Sequence, residues 1–140
     1  VQGFHGDDAL PAFLEGLDTL VCLLPLTPAT RGILGRATFD RLPRGATLVH
    51  VGRGEHLVPA DLQAALADGH LRGAVVDVFA REPLPPDDAL WATPGLVVTP
   101  HMATLATLSS IGGQIVANVE RLVRGEPLAN RVDVAGYATA

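Results

Sequence analysis

The chain has a single cysteine, Cys22, among 140 residues. One thiol closes no internal disulfide, so the sequence is not a disulfide-stapled scaffold, and a reducing, cytoplasmic setting is expected. Positive charge is scarce too. The net charge is −5 and no basic block occurs, which argues against nucleic acid as a partner. No apolar run approaches membrane-spanning length, so no membrane partner is expected. Aromatic residues are scarce, at 4% of a chain that is 48% hydrophobic. The first residues, "VQGFHGDD", contain neither the basic region nor the apolar stretch of a signal peptide. They also lack a starting Met, which predicts a processed or truncated product. There is no internal repeat and no low-complexity tract.

What is present is a rhythm of short apolar runs and helical patterns, over a length that suits one domain with a real core. Four runs read as buried strands: "TLVCLLP" at residues 19–25, "ATLVHVG" at 46–52, "GAVVDVF" at 73–79 and "GLVVTPH" at 95–101. Between them, "PADLQAALADG" starts near Pro59 and stops at Gly69, as a helix does. "ATFDRLPRG" is a short helical or turn segment, and "DDALPAFLEGLD" reads as a helix with Pro11 in its first turn. A long helix is expected within residues 105–124, with Gly125 as its stop signal and Pro127 beyond. "AREPLPPDDALWATPG" breaks the rhythm with four prolines and reads as a long loop. Strands alternating with helices imply an α/β fold with a parallel sheet.

Ligands of such sheets bind beyond the carboxyl ends of the strands. Three polar groups fall there. Arg53 stands between Gly52 and Gly54 after the second strand, Glu82 follows the third, and His101 ends the fourth. Arginine offers a planar fork for a carboxylate, or it is simply a surface side chain in a glycine-rich turn. Histidine is the usual proton donor or acceptor near neutral pH, or else a capping or core residue. A carboxylate beside it favours the charged ring, although most loop glutamates are only solvated. Asp77, inside an apolar strand, needs partners, which are either a ligand amide or backbone groups. Cys22 reads as a small core hydrophobe, and His5, His50, His56 and His70 as ordinary structural histidines. Trp91 reads as packing the long loop onto the domain, with a pocket wall as the alternative.

These residues, in this order, resemble the D-isomer-specific 2-hydroxyacid dehydrogenases. The resemblance is carried by "LVCLLPLTPATRGIL", "LPRGATLVHVGRGEHLV", "DLQAALADGHLRGAVVDVFAREPLPPDDALW" and "VVTPH". Within that family "CLLPLTPATRGIL", "GRGEHLV" and the tail "GEPLANRVDVAGY" are most similar to the glyoxylate/hydroxypyruvate reductase A group. The resemblance implies the second half of a Rossmann-like parallel-sheet NAD(P)-binding domain across residues 1–140. It also implies a C-terminal helix and tail returning to a substrate domain that lies elsewhere. It implies NAD or NADP as cofactor, a small 2-oxo or 2-hydroxy acid as substrate, and a homodimer in the full-length protein.

Residue by residue, it makes Arg53 the substrate-binding arginine and His101 the acid/base histidine. Glu82 becomes the glutamate that keeps that histidine protonated. Pro25, Leu26, Thr27, Gly52, Arg53, Asp77, His101 and Ala103 are expected to contact the cofactor. On this reading Gly52 and Gly54 let substrate and cofactor approach the Arg53 backbone. The sequence departs from the family in length, being about half the usual, and in lacking the phosphate-binding G-x-G-x-x-G turn. Ala106 stands where the family often has threonine. The expected function is therefore an NAD(P)-dependent reductase of glyoxylate or hydroxypyruvate, present as a fragment inactive alone. The alternative is a non-catalytic cofactor-binding or dimerisation module.

Overall fold

The computed structural model describes residues 1–104 and 107–131. Four parallel strands form one sheet in the sequential order β1 (Thr19–Cys22), β2 (Ala46–His50), β3 (Leu71–Val76), β4 (Leu96–Val98). Because all pairs are parallel, every carboxyl end lies on one edge. Cys22 pairs with His50, His50 with Val76, and Val76 with Val98. That row is the rim from which all the candidate residues depart.

The helices are α1 (Leu10–Leu14), α2 (Arg36–Phe39), α3 (Pro59–Ala67) and α4 (Leu108–Val123). Leu14, Phe39, Leu62 and Ala65 from the first three join Leu20, Cys22, Ala46, Leu48, Ala74 and Val76 of the strands in one core cluster. On β1 and β2 burial alternates, because side chains of a strand point to opposite faces. The other face is thinly covered: Val21 and Val97 are half exposed. Pro59 opens α3, and Gly69 at φ 70° lets the chain turn away after it, as the sequence predicts. The Thr107 hydroxyl accepts the Ser110 N–H at 3.2 Å to cap α4, which exposes Leu108, Ile115, Val119 and Leu122.

Three expectations change. The strands end two to three residues early: residues 23–25, 51–52, 77–79 and 99–101 have left the sheet. Their apolar side chains extend the sequence signal past the last ladder rung; Leu23, for example, is exposed. The opening helix is short, a 3₁₀ turn at Asp7–Ala9 running into α1, with Pro11 in the first turn. The long loop holds a 3₁₀ turn at Ala89–Ala92, where the Asp88 carboxylate accepts the Leu90 N–H at 2.9 Å. Ala106 and the tail beyond residue 131 lie outside the described residues.

Candidate active site

Each rim loop carries part of the site. After β3, Asp77 is 2% exposed. Its carboxylate accepts the Thr99 hydroxyl, the Met102 N–H at 2.9 Å and the Ala103 N–H at 2.9 Å. Of the two partners the sequence leaves open, the structure supplies local protein donors. Burial pushes this carboxyl up, but the bonds from Thr99, Met102 and Ala103 and the nearby His101 outweigh it, so it lies below its ordinary value. The same residue's carbonyl accepts the His101 N–H at 2.9 Å. Asp77 thus grips both sides of a backbone that holds His101 at φ 52°, a left-handed conformation uncommon outside glycine.

The His101 Nδ1 lies 2.7 Å from Glu82 Oε2, while Glu82 Oε1 accepts the Phe79 N–H at 2.9 Å. Both side chains are solvent-accessible, at 51% and 37%. The His101 hydrogen bond, then the Phe79 N–H, hold the Glu82 carboxyl below the usual range. They line a cavity of about 460 Å³ with Phe79, Leu84, Trp91 and Pro100. Trp91 is a pocket wall, 53% exposed, and its ring N–H ties the loop together by donating to the Pro85 carbonyl at 2.8 Å.

Arg53 lies in a second hollow, of about 620 Å³, with Leu23, Leu24, Pro25, Leu26, Gly52 and Glu55. Its guanidinium donates to the Gly52 carbonyl at 2.8 Å. Thr27 is not part of this lining; its N–H donates to the Thr30 hydroxyl at 2.9 Å and closes a turn behind it. Asp77 and Ala103 line neither hollow.

The glycines have a different immediate reason from the one the sequence suggests. A Cβ on Gly54 would fall 1.9 Å from the Phe79 carbonyl carbon, and one on Gly52 would fall 2.9 Å from His56 Nδ1. Gly54 therefore lets the Arg53 loop lie directly on the Phe79 and Ala80 backbone. Gly52 makes room for an imidazole.

Residues 2–103 match the family described as D-isomer specific 2-hydroxyacid dehydrogenase, NAD binding domain. The chain belongs to this family. Its sheet is that of the NAD-binding, Rossmann-like domain. It is similar to a D-isomer specific 2-hydroxyacid dehydrogenase from Xanthobacter autotrophicus Py2, crystallised with NADPH and MES, at 47% identity and TM-score 0.85, covering 93% of this chain and 54% of that one. A family protein from Klebsiella pneumoniae 342 is 53% identical at TM-score 0.83, over 93% and 42% of the two chains. An NADPH-dependent glyoxylate/hydroxypyruvate reductase from Sinorhizobium meliloti, crystallised with NADP and sulfate, is 41% identical at TM-score 0.87, over 95% and 44%. The chain spans about half the length of these structures.

The donor set fits one end of a dinucleotide. The hollow beside Gly52 and Pro25 has the position and the apolar walls a nicotinamide needs at the strand carboxyl ends. No glycine-rich phosphate turn occurs in the sequence to fit the other end.

Sequence reasoning missed two residues, His50 and His56, both fully buried. With Cys22 they bring metal-ligand atoms within 4.8 Å of one another. Both His56 nitrogens face backbone groups, the Arg53 N–H at 3.1 Å and the Pro25 carbonyl at 3.3 Å, and His50 Nε2 faces the Arg53 carbonyl at 2.9 Å. Of the ring nitrogens only His50 Nδ1 lacks a hydrogen bond, and the three donors are fewer than the four ligands of a structural zinc site. No helix among the described residues is long and apolar enough to cross a membrane.

Proposed function

We propose that these residues form the catalytic, C-terminal portion of the NAD(P)-binding domain in an NAD(P)-dependent reductase of small 2-oxo acids, with glyoxylate and hydroxypyruvate as its substrates. The observation that carries this reading is the 2.7 Å pair of Glu82 and His101 at the sheet's carboxyl rim. A nicotinamide held beside Gly52 and Pro25 would supply the hydride for the carbonyl carbon. With Nδ1 held by Glu82, His101 has Nε2 left to deliver the proton to the carbonyl oxygen, which completes the reduction to a hydroxyl. Glu82 favours the charged ring that donates this proton and fixes its orientation. Arg53 exchanges its bond to the Gly52 carbonyl for the substrate carboxylate, through two parallel N–H donors. Asp77 keeps the His101 backbone in place. Pro25, Leu26 and Gly52 line the nicotinamide end, with Thr27 and Ala103 supporting their loops.

The missing phosphate turn supports a longer native chain and an inactive isolated segment. Intact-mass analysis of the native product tests this. A species of about twice this mass is expected; a 140-residue product that turns over 2-oxo acids contradicts it. The exposed apolar residues of α4 supply a face for homodimerisation, and the free thiol of Cys22 suits the cytoplasm.

The role of Arg53 is tested in the full-length protein by steady-state kinetics with glyoxylate and hydroxypyruvate. Arg53→Ala is expected to lose about 2–4 kcal/mol of transition-state stabilisation, roughly 30- to 1,000-fold in kcat/KM. Arg53→Lys recovers part of this, since an ammonium lacks the planar fork. Near-parent efficiency in the alanine variant contradicts the assignment.

A further inference from the structure

A residue that grips a substrate needs a fixed base, because small displacements are costly in catalysis. Arg53 stands where the chain has left β2 and no sheet neighbour can satisfy its backbone. Two fully buried histidines do so instead. The Arg53 N–H donates to His56 Nδ1 at 3.1 Å, and the Arg53 carbonyl accepts from His50 Nε2 at 2.9 Å and from the His56 N–H at 3.0 Å. A neutral imidazole has one acceptor and one donor on opposite sides of its ring. At His56 the acceptor is taken by Arg53, which assigns the proton to Nε2, and Nε2 donates to the Pro25 carbonyl at 3.3 Å.

One ring therefore spans the loop after β1 and the loop after β2. The first belongs to the nicotinamide end of the hollow, the second to the substrate arginine. The two rings brace each other edge to face, with centroids 5.7 Å apart at 64°. Gly52 completes the arrangement, since its Cβ would lie 2.9 Å from His56 Nδ1 and 3.2 Å from the Leu24 carbonyl.

Resting on the reading of Arg53 as the carboxylate anchor, we propose that His50 and His56 are positioning residues for Arg53, and that His56 links the substrate arginine to the cofactor loop at Pro25. Neither touches the reacting atoms. The link is directional: the Nδ1 side of His56 serves the acid, and the Nε2 side serves the cofactor.

Amide side chains separate the two sides. In His56→Asn, the amide oxygen takes the place of Nδ1 and keeps the Arg53 N–H bond, but nothing reaches Pro25. In His56→Gln, the amide nitrogen takes the place of Nε2 and keeps the Pro25 bond, but the Arg53 N–H is left unpaired. Steady-state kinetics of the full-length protein, with glyoxylate and NADPH varied in turn, reads the difference. His56→Gln is expected to raise the KM for glyoxylate about tenfold with little change for NADPH. His56→Asn is expected to raise the KM for NADPH about threefold and leave that for glyoxylate near the parent.

A merely structural histidine predicts that the two variants behave alike. Equal changes in both, or no change in either, overturn the proposal. Should the His56 variants not accumulate as folded protein, His50→Asn and His50→Gln supply a second test. The first loses the ring donor and leaves the Arg53 carbonyl only the His56 N–H, and is expected to raise the glyoxylate KM about threefold; the second keeps the ring-side donor and restores it. No difference between them overturns the proposal. Arg53→Ala is assayed alongside. If it abolishes reduction while the amide variants behave alike, the positioning role alone fails. If it retains full activity, the reading of Arg53 itself fails, and the positioning role with it.

Discussion

The Arg53 and His101 corners of the rim are built in opposite ways. At Arg53 the backbone is clamped by two buried imidazole rings and by the glycine contacts, while the guanidinium is exposed and donates to its neighbour's carbonyl. At His101 the backbone is strained to φ 52° and cradled by a buried carboxylate, and the ring too is held, by Glu82. On the proposed roles, a group that reaches for a carboxylate has a fixed base and a free head, and a group that hands over a proton from one orientation is fixed at both ends.

The largest expected effect breaks the His101 corner. His101→Ala in the full-length protein should lower the kcat for glyoxylate about 10²- to 10⁴-fold at every pH, the usual contribution of a general acid. Steady-state rates across the pH range check it; a loss confined to one end of the range contradicts the role.

The next prediction breaks the join between the corners. Gly54→Ala puts a Cβ inside the Phe79 and Ala80 backbone, and neither chain can give way as a side chain would. A stability loss of about 3 kcal/mol or more is expected from denaturant unfolding. A near-neutral result shows that the two loops are not in contact.

A third sharpens the contrast between uncharged and charged supports. Burial, and secondarily the neighbouring His56, push His50 down to about 4 from 6.5, against the backbone bond that favours its charge. The unfolded chain takes up this proton below about pH 6.5 and the folded one only near pH 4. Folding stability should therefore fall by about 3 kcal/mol between those values on this account alone. His50→Gln removes the titrating group, so its stability should fall less than the parent's over the same range. Parallel losses in parent and variant contradict a buried neutral His50.

Much of this was legible in the sequence, for identifiable reasons. The four apolar runs gave the strands because a parallel sheet needs little alternation, and Pro59 and Gly69 bounded α3 because their backbone preferences are local. Arg53, Glu82 and His101 were legible because each follows a strand, and parallel strands share one carboxyl rim. Strand ends were not legible, since Leu23 and Leu24 continue an apolar run that the ladder does not. The purpose of Gly54 depends on Phe79, 25 positions away in the chain, and no local pattern reports that contact. His50 and His56 looked ordinary because a buried histidine's partners are backbone groups, which leave no trace in residue type. The spacing His50, Arg53, His56 is the only signal, three residues either side of the arginine.

The charge that Glu82 places beside His101 is central to the proposed reaction, and the pH dependence of kcat/KM for glyoxylate reduction tests it most directly. The His101 bond holds the Glu82 carboxyl below its ordinary range, so it is ionised throughout neutral pH. An ionised neighbour favours the charged ring, and the charged ring is the proton donor. Glu82→Gln keeps an oxygen near Nδ1 but removes the negative charge beside it. The alkaline fall-off in activity is expected at lower pH in Glu82→Gln than in the parent. A fall-off that stays in place, whatever the height of the profile, contradicts the pairing.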